Sequence, residues 1–136
     1  MTNWQSLIDA LEQAEGPSFE LDCQIHAAVL GGAFDGSEWA QVAFIVNGER
    51  HVVSPRSIPN RTASIDAALS WMPDGWEISI VIEVDGRGSA RVWERLGDDP
   101  PSRAIIYEAT NPALAICIAI ARARQELATM DIGNGG

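Results

Sequence analysis

Arg91, Trp93 and Arg95 are the residues of this 136-residue chain whose types and spacing best suit the capture of a ligand. Positions two apart share a face of an extended strand, so two guanidinium groups and one indole are displayed together. Guanidinium groups grip anions through paired N–H donors and an indole offers a stacking surface, a combination that fits an anionic aromatic molecule such as a nucleotide. Arg50, Arg56 and Arg61 form a second candidate anion site around a mid-chain loop. In both places the competing reading is ordinary solvated charge, with Glu77 and Glu83 neutralising the arginines of the strand.

Chemistry beyond capture finds less support. Asp22 and His26 lie four apart, which places a carboxyl and an imidazole on one helical face, as a metal site or an acid/base pair would require. No further His or Cys completes a ligand set. Cys23 lies three residues before His26, but a Cys-His nucleophile needs an electropositive setting that an acidic segment does not supply. The chain has no Gly-rich phosphate loop ahead of a helix and no Gly-x-Ser-x-Gly elbow. No catalytic residue, metal or cofactor is assigned, and a non-enzymatic role is expected.

Charge narrows the partners. The net charge is -10, and residues 1–49 hold Asp9, Glu12, Glu15, Glu20, Asp22, Asp35, Glu38 and Glu49 with no Lys or Arg. Such a surface repels duplex nucleic acid, so that partner is not expected. No apolar run approaches the roughly 20 residues of a membrane span, and the N-terminus has neither a basic region nor an apolar signal core, so a cytosolic protein without membrane contact is expected. Cys23 and Cys117 are read as two reduced, half-buried thiols.

The elements that must position these residues follow from periodicity and caps. Trp4, Leu7, Ile8 and Leu11 form one helical stripe behind Thr2-Asn3, and Leu21, Ile25, Ala28 and Val29 form another between Ser18 and Gly31-Gly32. After a loop from Ala33 to Ser37, strands near 39–46 and 49–54 flank Asn47-Gly48, a strong hairpin signal. In that register Phe44 faces His51 and Val42 faces Val53, with Ala40, Val42, Phe44, Val46 and Val53 on the apolar face and His51 at the core edge. Residues Pro55 to Arg61 read as a surface loop.

A short helix capped by Ser64, with Ile65, Ala68, Leu69 and Met72 on one face, stops at Pro73-Asp74-Gly75 and leads into a second hairpin. Trp71 lies off that stripe, either under another helix or at a subunit interface. In the hairpin, a two-residue turn at Asp85-Gly86 would put Arg91 and Arg95 on the same face as Ile78 and Ile80. An odd-length loop is therefore expected, with Gly88 as a bulge residue, Ile82 facing Val92, Glu83 facing Arg91 and Val81 facing Trp93. A polar loop at 97–101 and a strand at 104–110 follow, and Asn111-Pro112 then starts a helix whose residues 113–121 are apolar all round and hence central.

The run T-A-S-I-D-A-A-L-S-W-M-P-D-G-W at 62–76, followed after a hairpin by A-T-N-P-A-L-A-I-C-I-A-I-A-R-A-R at 109–124, resembles the phage ABA-sandwich family of small phage and prophage proteins. The helix at 18–30, S-F-E-L-D-C-Q-I-H-A-A-V-L, looks like that family's N-terminal element. The resemblance implies a fold and a phage or prophage origin, and carries no catalytic residue across. The expected fold is α+β, a single-domain α/β sandwich over 1–130, with an antiparallel sheet of about five strands, helices packed on it, the order ααββαβββα and a disordered tail at 131–136. The expected function is a phage or prophage accessory protein that binds a small anionic, nucleotide-like ligand, such as a signal of host defence. The alternatives are an acidic interaction module that docks on a host protein by mimicking nucleic-acid charge, or a minor phage structural protein. Self-association is expected of so small a domain with spare aromatic residues.

Overall fold

Side-chain caps set the helix boundaries. The computed structural model of the protein describes residues 3–38, 40–94, 104–109 and 111–134. Helix α1, Trp4–Gln13, starts where Asn3 accepts the Ser6 N–H, and α2, Phe19–Leu30, where Ser18 accepts that of Leu21. Strands β1 (Ala33–Glu38), β2 (Gln41–Val46) and β3 (Glu49–Val53) follow, then a single 3-10 turn at Pro55–Ser57. Ser64 caps α3, Ile65–Leu69, ahead of β4 (Trp76–Ile82), β5 (Gly88–Glu94) and β6 (Ala104–Ala109). Asn111 accepts the Leu114 N–H at 2.8 Å to open α4, Pro112–Asn134, which continues through residues 131–134 of the expected tail.

Among the described residues, two three-stranded antiparallel sheets, β1-β2-β3 and β4-β5-β6, replace the expected single sheet of about five strands. The order is ααβββαβββα, not ααββαβββα, and the added strand is β1, where a loop was expected. Its sequence does not alternate because the register slips between the pairs Phe34↔Phe44 and Ser37↔Val42, with Gly36 at φ 101° between them. The first hairpin has the expected register, Phe44↔His51 and Val42↔Val53, around Asn47 and Gly48, both at positive φ. Val42 and Phe44 are buried, with Val46 and Val53 against them, whereas Ala40 is exposed. His51, expected at the core edge, instead faces solvent with Nε2 4.0 Å from the Glu49 carboxylate.

The second hairpin keeps the expected odd loop and core face but slides along the strand. Ile78, not Ile82, faces Val92; Ser79, not Glu83, faces Arg91; Glu77, not Val81, faces Trp93. Glu83 is drawn into the turn, where its N–H donates to the Arg87 carbonyl at 2.7 Å and its carbonyl accepts from Gly86. The left-handed residue is Gly86, at φ 92°, rather than Gly88. Gly88 serves a different purpose: a Cβ there would lie 2.5 Å from the Pro112 Cα at the start of α4. Gly88→Ala is therefore expected to push β5 off α4 and cost about 1–3 kcal/mol, read as a lowered urea midpoint with an unchanged slope.

Helix α4 is covered on both sides, by β4, β5 and β6 on one and by α1 and α3 on the other, and residues 113–121 are all buried. An all-apolar helix has no face to give to water, so central placement is the stable solution. Burial of each of Ile116, Ile118 and Ile120 contributes roughly 1.5–3 kcal/mol. A smaller core joins Cys23 and Ala27 to Val42, Phe44 and Ile58. Helix α2 serves both cores: Leu21, Ile25 and Ala28 face the larger, Cys23 and Ala27 the smaller, and Val29, expected among the buried residues, is exposed.

Candidate functional site

The outer face of β5 carries the expected ligand residues. Strand alternation sends Ala90 and Val92 into the core and leaves Arg91 and Trp93 on the other side. That side is open, since Ser79, Val81 and Arg91 are exposed. The Arg91 guanidinium lies 5.6 Å from the centroid of the Trp93 ring, and the Trp93 indole N–H donates to Glu77 at 3.2 Å. The carboxylate thus fixes the tilt of the ring, and the ring supports the cation. Among the described residues no carboxylate forms an ion pair with Arg91, so the expected neutralisation by Glu83 does not occur. Arg95, the third expected contact, lies outside the described residues.

The second expected set is divided among different surroundings. Arg50 pairs with Asp35 across the first sheet at 3.1 Å, and Arg56 lies in the 3-10 turn. Arg61 turns inward and is 4% exposed, as the expected surface loop packs down with Ile58 and Thr62 buried. The sequence offers no local sign of this, because the partner of the segment lies forty residues earlier.

That partner is the Asp22 and His26 face of α2, which forms a buried polar junction. Asp22 Oδ1 accepts from both the N–H and the hydroxyl of Thr62, each at 2.8 Å, while the Ser18 N–H donates to the Thr62 hydroxyl. Arg61 donates through Nε to Ser70 at 3.2 Å and approaches His26 Nδ1 with Nη1 at 3.4 Å, while the Cys117 thiol donates to the Arg61 carbonyl. Asp22 and His26 therefore engage Thr62 and Arg61 separately. Among the described residues no three His, Cys, Asp or Glu side chains are placed to hold a metal ion.

Burial sets the protonation states here. It raises the Asp22 carboxyl against the opposing Thr62 hydrogen bonds and the Arg61 charge, and it lowers Arg61. Burial, with the Asp22 and Glu20 charges adding to it, pushes the Cys23 thiol up to about 11, and burial pushes Cys117 up to about 12. Neither thiol is a thiolate at neutral pH. His26 is lowered by burial and then by Arg61, whose N–H needs Nδ1 as a lone-pair acceptor.

A pH effect follows from His26. The unfolded chain takes up a proton near pH 6.5 that the folded chain refuses, so stability falls as the pH drops below 6.5. Asp22 acts in the opposite sense: its carboxyl is raised above 3.8, so stability is lost as the pH rises through that region. The expected His26 slope is at most about 1.4 kcal/mol per pH unit. Urea unfolding at a series of pH values from neutral downward should show it in the parent protein and lose it in His26→Gln.

Comparison of the chain with protein-family models, with curated proteins and with solved structures finds no match. Among the described residues no helix is long and apolar enough to cross a membrane.

Proposed function

We propose that the protein is a non-enzymatic phage or prophage accessory protein that holds a small anionic, aromatic ligand on the outer face of its second sheet, in the manner of a nucleotide trap acting against host defence signalling. Arg91 supplies the charge and Trp93 the stacking surface, and Arg95, two residues on in the sequence, is the third proposed contact. The observation that carries this reading is the exposed Arg91 guanidinium, propped on Trp93 and opposite Ser79 rather than a carboxylate. A cation that has no ion pair among the described residues and rests on an aromatic platform has its hydrogen-bonding edge available to an anion. Thermal-shift and calorimetric titration with mono-, di- and cyclic nucleotides should find at least one that stabilises the fold, by about 2.7 kcal/mol at a hundredfold excess over Kd. Arg91→Ala should abolish that effect, and no stabilisation by any of them well above micromolar removes the reading.

The exposure of Asp9, Glu12, Glu15 and Glu20 on the first two helices favours a second reading, docking of this acidic pair on a basic host protein. Salt-sensitive capture that survives Arg91→Ala and disappears when Glu12, Glu15 and Glu20 are neutralised would support it over the first.

A further inference from the structure

We infer that the ligand is a dinucleotide, two nucleosides joined through phosphate and laid along β5, an inference that rests on the reading of the Arg91 and Trp93 face as an anion site. Residues 89, 91 and 93 have one parity, so Ser89, Arg91 and Trp93 follow one another along the outer side of β5, and Arg87 lies in the loop just before the strand. Each step of two residues advances roughly 6.5 Å. One such step beyond Arg91 lies a cavity of about 260 Å³, lined by Glu83, Asp85, Arg87, Ser89 and Glu108. Glu108 is the register partner of Ser89 on β6 and is itself exposed, which puts this part of the lining on the face of Arg91, while Gly88 and Ala109 complete it at the strand ends.

The lining selects what enters. Three carboxylates with one arginine repel a second phosphate, but as acceptors they suit the hydroxyl groups of a ribose or the amino group of a base. A mononucleotide with its base on Trp93 and its phosphate at Arg91 stops short of the cavity. A second nucleoside attached to that phosphate reaches it and supplies the donors. Read along the strand, an aromatic ring, a cation and a cluster of acceptors match a base, a phosphate and a second nucleoside in turn.

Calorimetric titration of the full chain with AMP and GMP, and with the linear dinucleotides ApA and GpG, tests this. One of the dinucleotides should bind about tenfold more tightly than its mononucleotide, the effect of one or two added hydrogen bonds to charged acceptors. Glu108→Ala should bring that dinucleotide down to the mononucleotide affinity and leave the mononucleotide unchanged, whereas Arg91→Ala should weaken both. Equal affinity for the mono- and dinucleotides overturns the inference and leaves the anion site standing. So does a Glu108→Ala variant that binds both more tightly, since the carboxylate would then act only by repulsion. Failure of all four compounds to bind overturns the inference together with the reading on which it rests.

Discussion

Trp71→Ala is expected to lower the stability of the fold by about 3–5 kcal/mol, the cost of emptying a large, well-packed aromatic site. Trp71 is 1% exposed and belongs to the core around α4. Arg124 of α4 closes over it, donating from Nε and from a terminal nitrogen to the Trp71 carbonyl at 2.8 and 2.5 Å, with its guanidinium 5.7 Å from the ring centroid. Truncation leaves that cation above a void. The indole N–H of Trp71 is buried and, apart from the weakly accepting Cys117 sulfur, has no hydrogen-bond partner among the described residues, so Trp71→Phe removes a poorly satisfied donor while it keeps most of the ring. The phenylalanine variant should therefore lose less than half as much as the alanine variant. Urea midpoints at a constant slope decide it, and a loss below about 1 kcal/mol for Trp71→Ala would contradict this packing.

Asp22→Ala is expected to cost about 3 kcal/mol, because it strands the Thr62 N–H in the interior, leaves the Thr62 hydroxyl with only the longer bond to the Ser18 carbonyl, and removes the carboxylate charge that acts on Arg61. Asp22→Asn keeps an acceptor oxygen for Thr62 and should lose clearly less. The same pair separates charge from geometry: if the asparagine variant falls as far as the alanine variant, the Arg61 charge and not the Thr62 hydrogen bonds governs the junction.

Features written in local sequence were readable before the structure. Ser18, Ser64 and Asn111 cap helices through their own side chains, as does Asn3, one residue after the Thr2 that the capping-box spacing indicates, and Asn47-Gly48 dictates the turn and so the register of the first hairpin. In the second hairpin, alternation settles which residues face the core, but sliding one strand by an even number of residues preserves every face. Parity therefore placed Arg91 and Trp93 on the outer side, yet it could not choose between Glu83 and Ser79 as the neighbour of Arg91. That choice decides whether the arginine is neutralised. Strand β1 was hidden for a related reason, since the irregularity at Gly36 removes the alternation by which a strand is recognised. The division into two sheets was not legible either, because runs of strand residues look alike whether they join one sheet or two. The inward turn of Arg61 and Thr62 depends on Asp22, and no short-range pattern links residues forty positions apart.

The use of three sides of α2 has a consequence for how the chain can drift in sequence. A surface helix usually leaves about half of its circumference free to vary. Here every residue from Leu21 to Ala28 except the half-buried Gln24 is claimed by one core, by the other core or by the polar junction, and the exposed positions are Phe19 and Glu20 at one end and Val29 and Leu30 at the other. Substitutions should accumulate at the two ends of this helix and be purged from its middle, so that in diverged versions of the chain the centre of α2 would be the part by which the fold is recognised.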